Sequence, residues 1–402
     1  MSPDAQVRRR IVVTGLGVVS PLGTDVETFW AGITSGRVAT APITRFSGEG
    51  HPTHLAAEVR DPALTSCEDP DAAVPRSVRY AEHAVGAALE HAGLRGHPTL
   101  RRAGLVLGTV MGTRPHLEEL RRQGRPLTGD LSWDTPGALA REPARRFGLL
   151  GPRHVVAAGC AAGNTAVAAA ADCIRSGQAE VMVTGGVDEL SEAVLRLFAT
   201  LRALTPDQVR PFDRDRRGML PSEGAGVLVL ESLEHALGRG ATVLAELCGY
   251  AIAADAHHMT APHPQGHGVL RCMRDSLDQA GMKVTDVDYV SAHGTGTPGN
   301  DALEAACLAR YFGTGGPAVS SIKGMLGHSQ GGASALEAIA CVLAITRGRV
   351  PGNPTLRIAD DACAGLDLVR GAAREMPVRV ALSNAFGFGG NTSTVVLGGY
   401  TS

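Results

Sequence analysis

The chain has 402 residues, 44% hydrophobic and 19% charged, with a formal net charge of -2 at pH 7. That balance offers no basic surface for nucleic acid, and no apolar run reaches the roughly 18 residues needed to cross a bilayer. The eight cysteines lack CxxC or Cys/His spacing, so neither a disulfide framework nor a metal site is indicated, and a reducing cytoplasm is the expected compartment.

In chain order, residues 11–19 read as a buried strand entering a Gly-rich turn, followed by a helix near 25–36. Residues 40–75 read as irregular cover, 78–92 as a helix and 104–109 as a strand. Residues 111–150 carry Pro115, Pro126, Pro136 and Pro143 and read as a mixed helix-and-loop excursion. Next, a short apolar strand, 154–157, ends in Ala158-Gly159-Cys160-Ala161-Ala162-Gly163-Asn164 and becomes an Ala-rich helix over 165–171. This places Cys160 at a helix N-terminus, where unpaired N–H groups and the macrodipole favour an anion. A lowered thiol pKa and nucleophilicity near neutral pH are the expectation, with small neighbours admitting a large acyl group. An ordinary buried cysteine is the alternative. A strand over 180–186, a polar loop containing Arg210-Pro211-Phe212-Asp213 and a strand over 226–230 complete the first half.

The second half repeats the first. Residues 243–247 echo the opening strand, and 288–297 echo the strand and turn at 105–112. Residues 318–323 with a helix over 333–345 echo the Cys160 strand and helix, and 378–384 echo 180–186. Four matches in the same order imply a duplicated β/α unit, divided into halves 1–250 and 251–402 and packed about a pseudo-twofold axis. Apolar runs without alternation argue for an α/β fold of buried mixed sheets covered on both faces. If the halves superpose, the helix start at Cys160 faces the loop of Lys323 and His328, and His293 opens on the same cleft. The only lysines are Lys283 and Lys323, so retention of Lys323 in an Arg-rich chain suggests a need for a compact ammonium. Glu337, on the following helix, is its candidate partner.

Residues 292–301 (Ala-His-Gly-Thr-Gly-Thr-Pro-Gly-Asn-Asp) and 321–328 (Ser-Ile-Lys-Gly-Met-Leu-Gly-His) resemble the two histidine motifs of β-ketoacyl-acyl-carrier-protein synthases. Residues 384–391 (Asn-Ala-Phe-Gly-Phe-Gly-Gly-Asn) resemble that family's gating loop, and 210–213 and 255–260 also match family stretches. The likeness runs from about residue 10 to 398. It implies the thiolase fold, five layers αβαβα, and a decarboxylative Claisen condensation in the thiolase superfamily. The implied catalytic set is Cys160, His293 and His328, supported by Lys323 and Glu337. The backbone N–H groups of Cys160 and Phe388 form the implied oxyanion hole, with Phe388 as a gate and Thr295 and Thr297 bonding pantetheine. The enzyme itself is expected to bind no cofactor and no metal, its substrates riding on the 4'-phosphopantetheine of acyl carrier protein.

The Gly159–Cys160 context departs from the Thr-Ala-Cys usual in fatty-acid enzymes, as does the short 111–150 segment. It is closer to the catalytic ketosynthase subunit of type II polyketide systems, including reducing, polyene-forming ones. Such subunits often pair with a chain-length factor that has lost the cysteine. A dimer is expected through the strand before Cys160, as a homodimer or a heterodimer with a chain-length factor, with 111–150 reaching towards the partner's pocket. The alternatives are a housekeeping fatty-acid elongation synthase and, in another class, a non-catalytic chain-length-factor-like subunit, which the intact Cys-His-His set opposes. A thiolase would carry a second cysteine where this chain carries histidine.

Overall fold

The computed structural model describes residues 9–66, 74–125, 133 and 135–401. Eleven strands form one continuous hydrogen-bonded array: β1 (Ile11–Val19), β2 (Gly104–Gly108), β3 (Arg153–Val156), β4 (Val181–Asp188), β5 (Gly224–Ser232), β6 (Ala245–Ala254), β7 (Tyr289–Ser291), β8 (Ala318–Ser320), β9 (Asp367–Leu368), β10 (Val380–Phe386) and β11 (Asn391–Gly398). Their order is β9-β8-β7-β10-β11-β6-β1-β5-β4-β2-β3. Without β9, this reads the same from either end once β1 is matched with β6, β2 with β7, β3 with β8, β4 with β10 and β5 with β11. Directions match too. β1–β5 and β5–β4 are antiparallel while β4–β2 and β2–β3 are parallel. β6–β11 and β11–β10 are antiparallel while β10–β7 and β7–β8 are parallel. The halves join where β1 meets β6 at Val12↔Glu246 and Val13↔Ala245. Four of these pairs are the repeats read from the sequence. The fifth, β5 with β11, was hidden because the Gly-rich stretch before β11 reads as a loop.

Two helices lie between the half-sheets. α5 (Ala162–Arg175) follows β3, and α9 (Ala333–Arg347) holds the equivalent place after β8. Alanine has the best intrinsic helix propensity, which favours both. Every residue of α9 from Ala333 to Ala344 is buried, as expected of a helix enclosed on all sides. α5 and α9 pack on each other and reach strands of both halves, and their apolar residues, including Val167, Ile174, Leu336 and Ile339, share one core with both sheets. α2 (Arg76–His91) and α4 (Ala138–Phe147) cover the outer face of the first half, and α7 (His267–Ala280) and α8 (Pro298–Phe312) that of the second. The result is five layers, αβαβα. α1 (Val26–Thr34), α3 (Arg114–Arg122) and α6 (Glu192–Thr200) flank this body. Among the described residues no helix is long and apolar enough to cross a membrane.

Some boundaries moved. The strand expected over 318–323 stops at Ser320, because Ile322 turns helical and Lys323–Leu326 forms a short helix. The opening strand of the second half runs over Ala245–Ala254, beyond the apolar stretch 243–247. Residues 111–150 contain α3 and α4, and residues 126–132 and 134, part of the stretch expected to reach a partner, lie outside the described residues.

Candidate active site

Cys160 sits between the end of β3 and the first turn of α5, one residue before the helix cap at Ala161. It is 7% exposed. The sequence predicts a lowered thiol pKa, and here the structure differs. Burial dominates and pushes the thiol up to about 12, with the Lys323 ammonium pulling the other way. Desolvation penalises the thiolate by more than a nearby positive group recovers. The loop 387–390 lies directly on this residue: a Cβ at Gly387 would lie 3.0 Å from the Cys160 amide nitrogen. Among the described residues neither the Cys160 nor the Phe388 amide donates to a backbone carbonyl. A Cβ at Gly159 would lie 3.7 Å from the Phe388 amide nitrogen, so both N–H groups border the Cys160 turn, and two such donors at a reacting centre can hold an oxyanion.

His293 follows β7 and His328 follows the short helix after β8, so equivalent strand ends deliver them to one place. Their rings meet edge-on, centroids 5.5 Å apart, and Phe386 packs on His293 at 5.4 Å. Burial and the Lys323 ammonium hold both imidazoles well below the usual histidine range, so both are neutral. Their tautomers follow from their partners. The Gln330 amide donates to His328 Nδ1 at 3.2 Å, so the ring proton is on Nε2. His293 Nδ1 faces Lys323 Nζ at 3.4 Å, and an ammonium can only donate, so its proton is on Nε2 as well. Each ring is thereby a donor through its second nitrogen.

Lys323 is 1% exposed. Its ammonium pairs with Glu337 and donates to the His293 carbonyl at 2.7 Å. Burial raises the Glu337 carboxyl to about 7, with Lys323 pulling against it. Removing one partner of such a pair strands a buried charge, at a cost of about 3–5 kcal/mol. Lys323→Ala is therefore expected to lower the unfolding free energy by that order, measured by urea titration. The double variant Lys323→Ala/Glu337→Gln should recover much of the loss, and no recovery would show that Glu337 is not the stranded group.

Cys160, His293, His328, Thr295, Thr297 and Phe388 all line a single cavity of about 360 Å³. The Thr295 and Thr297 hydroxyls are 2.9 Å apart, and Thr295 also reaches the Asp301 carboxylate at 3.4 Å. Phe388 is 38% exposed, so it is not a packed core aromatic, and its ring lies 5.6 Å from that of Phe198 on α6. Lys323 and Glu337 stand behind the histidines rather than on the cavity wall. Backbone strain gathers here. The non-glycine residues with left-handed φ among the described residues are Arg202 (54°), Phe212 (63°), Ala256 (48°) and Gln330 (54°). Arg202 lines the cavity, Phe212 donates its amide to Asp301, Ala256 follows the lining residue Asp255, and Gln330 orients His328. Such conformations persist only where their surroundings over-determine them, commonly at functional sites. Among the described residues no group of three or more His, Cys, Asp or Glu side chains could hold a metal ion.

Two buried carboxylates at the site escaped the sequence reading. Glu304 accepts from the amides of His293 and Gly294, each at 2.8 Å, and burial raises its carboxyl to about 8. Asp188, at the end of β4, accepts four hydrogen bonds from two separate turns. The available signal was an acid closing a buried strand whose other residues are apolar or small apart from Thr184. The reading of that strand stopped at Gly186, two residues short.

The profile of the β-ketoacyl synthase N-terminal domain matches residues 8–236, and that of the C-terminal domain matches residues 244–357. The chain is 38% identical to 3-oxoacyl-[acyl-carrier-protein] synthase 2 of Coxiella burnetii (strain RSA 493 / Nine Mile phase I), over 97% of this chain and 98% of the relative. It is 41% identical to a chain of the ishigamide ketosynthase/chain length factor, with a TM-score of 0.91 over 98% of this chain and 100% of the other. AntDE:AntF (apo), a type II PKS acyl-carrier protein in complex with its ketosynthase bound to the hexaketide, contains a chain matching at 30% identity and a TM-score of 0.90, over 98% of this chain and 100% of that one. With both domain profiles matched in order around a shared Cys-His-His cavity, the chain belongs to the β-ketoacyl synthase family.

Proposed function

We propose that the protein is the catalytic ketosynthase of a type II polyketide system, condensing malonyl units onto an acyl chain held on Cys160. The observation that carries this is the convergence of one thiol and two neutral, Nε2-protonated imidazoles on one cavity. In the first step the Cys160 sulfur attacks an acyl-pantetheine thioester. The C–S bond to pantetheine breaks, and the thiol proton leaves with the pantetheine sulfur in the overall balance. The tetrahedral oxyanion takes the N–H groups of Cys160 and Phe388. In the second step malonyl thioester loses CO₂, and its electron pair moves to the carbonyl oxygen as an enolate. His293 and His328 donate their Nε2 protons as hydrogen bonds to that oxygen. The enolate carbon then attacks the Cys160 thioester, the sulfur leaves, and one proton returns it to the thiol. Thr295 and Thr297 bond the pantetheine amides, Phe388 gates the cavity, and Lys323 with Glu337 fixes the electrostatics behind the rings. No cofactor resides in the enzyme, whose substrates arrive on the 4'-phosphopantetheine of acyl carrier protein.

The polyketide placement is supported by the Gly159–Cys160 context and by the likeness to a ketosynthase/chain length factor. The similarity to a 3-oxoacyl-[acyl-carrier-protein] synthase 2 favours fatty-acid elongation as a second reading. Intact-mass detection of acyl adducts after offering a panel of acyl carrier proteins, with and without a cysteine-less partner subunit, tests both. Condensation that requires the partner supports the first reading, and efficient elongation by the isolated protein supports the second.

Among the described residues β3 ends the array, paired with β2 alone, and Arg153 and His154 on it are exposed. A free strand edge in register with a twofold-related copy extends one sheet into another. A dimer through β3 is the expected state, with itself or with a chain-length factor. Sedimentation velocity at micromolar concentration checks it, and a monomer both alone and with the co-expressed partner would contradict it.

A further inference from the structure

Asp188 links the two sides of the active site through a single carboxylate. Its Oδ2 accepts from the Val110 amide at 2.8 Å and the Gly331 amide at 2.7 Å, and its Oδ1 from the Thr109 hydroxyl at 2.7 Å and the Met111 amide at 2.9 Å. The first element it grips is the turn after β2, at the start of the 111–150 excursion. The second is the strained turn that carries His328. Gln330, in left-handed φ at 54°, donates its amide to His328 Nδ1 at 3.2 Å and its side chain to the His328 carbonyl at 3.1 Å. The next amide along, that of Gly331, is the one Asp188 holds. The approach leaves no room for a side chain: a Cβ on Gly331 would lie 2.8 Å from Asp188 Oδ2 and 2.7 Å from Thr109 Cα. Asp188 is wholly buried, so no water can replace it at these donors without opening the core.

We infer that Asp188 is a positioning residue for the decarboxylation step: by clamping Gly331 it holds the Gln330 turn that sets the tautomer and orientation of His328. This rests on the ketosynthase reading above. The clamp holds the histidine that stabilises the enolate, whereas Asp188 reaches the nucleophile only through its charge, which raises the Cys160 thiol, so its loss should spare self-acylation and separate the two half-reactions. Asp188→Ala frees the Gln330 amide from His328 Nδ1, and the ring can then turn or change tautomer. A reacting group displaced by about 1 Å costs on the order of 10²-fold in rate.

Asparagine offers a controlled rescue. The Thr109 hydroxyl can either donate or accept, so the Asn amide NH₂ can turn to it while the amide oxygen keeps Val110 and Gly331. Only the Met111 bond is lost.

The experiment compares wild type, D188A, D188N and G331A in single-turnover self-acylation of Cys160 and in CO₂ release from malonyl-acyl carrier protein. D188A should lose about 10- to 100-fold in CO₂ release while self-acylating within about threefold of wild type, and D188N should regain most of the loss. G331A, whose methyl group pushes the amide off the carboxylate, should resemble D188A. If D188A does not accumulate as folded protein, G331A and D188N carry the same comparison. Equal loss of both half-reactions, no rescue by asparagine, or wild-type CO₂ release from G331A would overturn the role. Wild type run in parallel separates this from the underlying reading. Absence of CO₂ release from wild type overturns both, whereas wild-type release by D188A overturns the role of Asp188 alone.

Discussion

Cys160→Ala is expected to abolish acyl-enzyme formation and condensation while leaving the fold intact. The side chain is small, its neighbours are Gly159 and Ala161, and removing one sulfur opens a cavity too small to disturb α5. Intact mass after incubation with acyl-carrier protein reads the result directly: the wild type gains one acyl group and the variant none. An acyl adduct persisting on the variant would remove Cys160 from the mechanism. Cys160→Gln should still release CO₂ from malonyl-carrier protein, because that step draws on the histidine donors and not on the thiol. The raised pKa adds a second expectation. With burial holding the resting thiol near 12, alkylation by iodoacetamide should accelerate steadily as pH rises from 7 to 9, with no plateau below pH 8. A plateau there would show that the helix terminus outweighs desolvation.

That disagreement over the thiol illustrates what the residues reveal and what they conceal. The run from Val155 to Asn164 shows that a strand ends, that small residues follow and that a helix begins. It contains nothing about how much solvent the finished fold removes from the sulfur. Duplication was legible because four β/α units recur in the same order. Their antiparallel central strands were harder: β5 was read as a strand, but its counterpart β11 begins just after three glycines at 387–390 and was read as the end of a loop. His293 and His328 stood out through their surroundings of Gly, Thr and Ser at buried strand ends. Lys323 stood out through the rarity of lysine, and Glu337 through its place on the next helix. Asp188 and Glu304 did not stand out, because each works on backbone amides, Asp188 on two distant turns and Glu304 on the loop ten residues before it, and a carboxylate that bonds amides needs no residue type at the other end. Contacts of that kind leave no pattern in a sequence; only the fold assembles them.

Removing either imidazole should separate the half-reactions in the opposite sense to Cys160→Gln. Acyl transfer needs the Cys160 sulfur and the backbone donors, whereas decarboxylation needs charge stabilised on the malonyl carbonyl oxygen. His293→Ala and His328→Ala are therefore expected to lose CO₂ release by about 10²–10³-fold, or roughly 3–4 kcal/mol, as when one such donor is deleted. Each should still acylate itself at Cys160. Labelled CO₂ release beside single-turnover acylation measures both quantities on the same preparation, and wild-type CO₂ release from both variants would make the histidines structural. The neutral rings also leave a pH signature. Both folded-state pKa values lie well below 6.5, so between that value and the folded pKa the unfolded chain binds protons that the native one refuses. Stability then falls as pH drops below about 6.5, and is unaffected by these groups above it. Activity should follow a different limb. Because the rings stay neutral in the native state well below pH 6.5, wild-type CO₂ release should show no acid limb at the ordinary histidine value. A half-maximal point at pH 6.5 would mean that at least one imidazole is solvated and titrates freely, contrary to the burial that keeps both rings neutral.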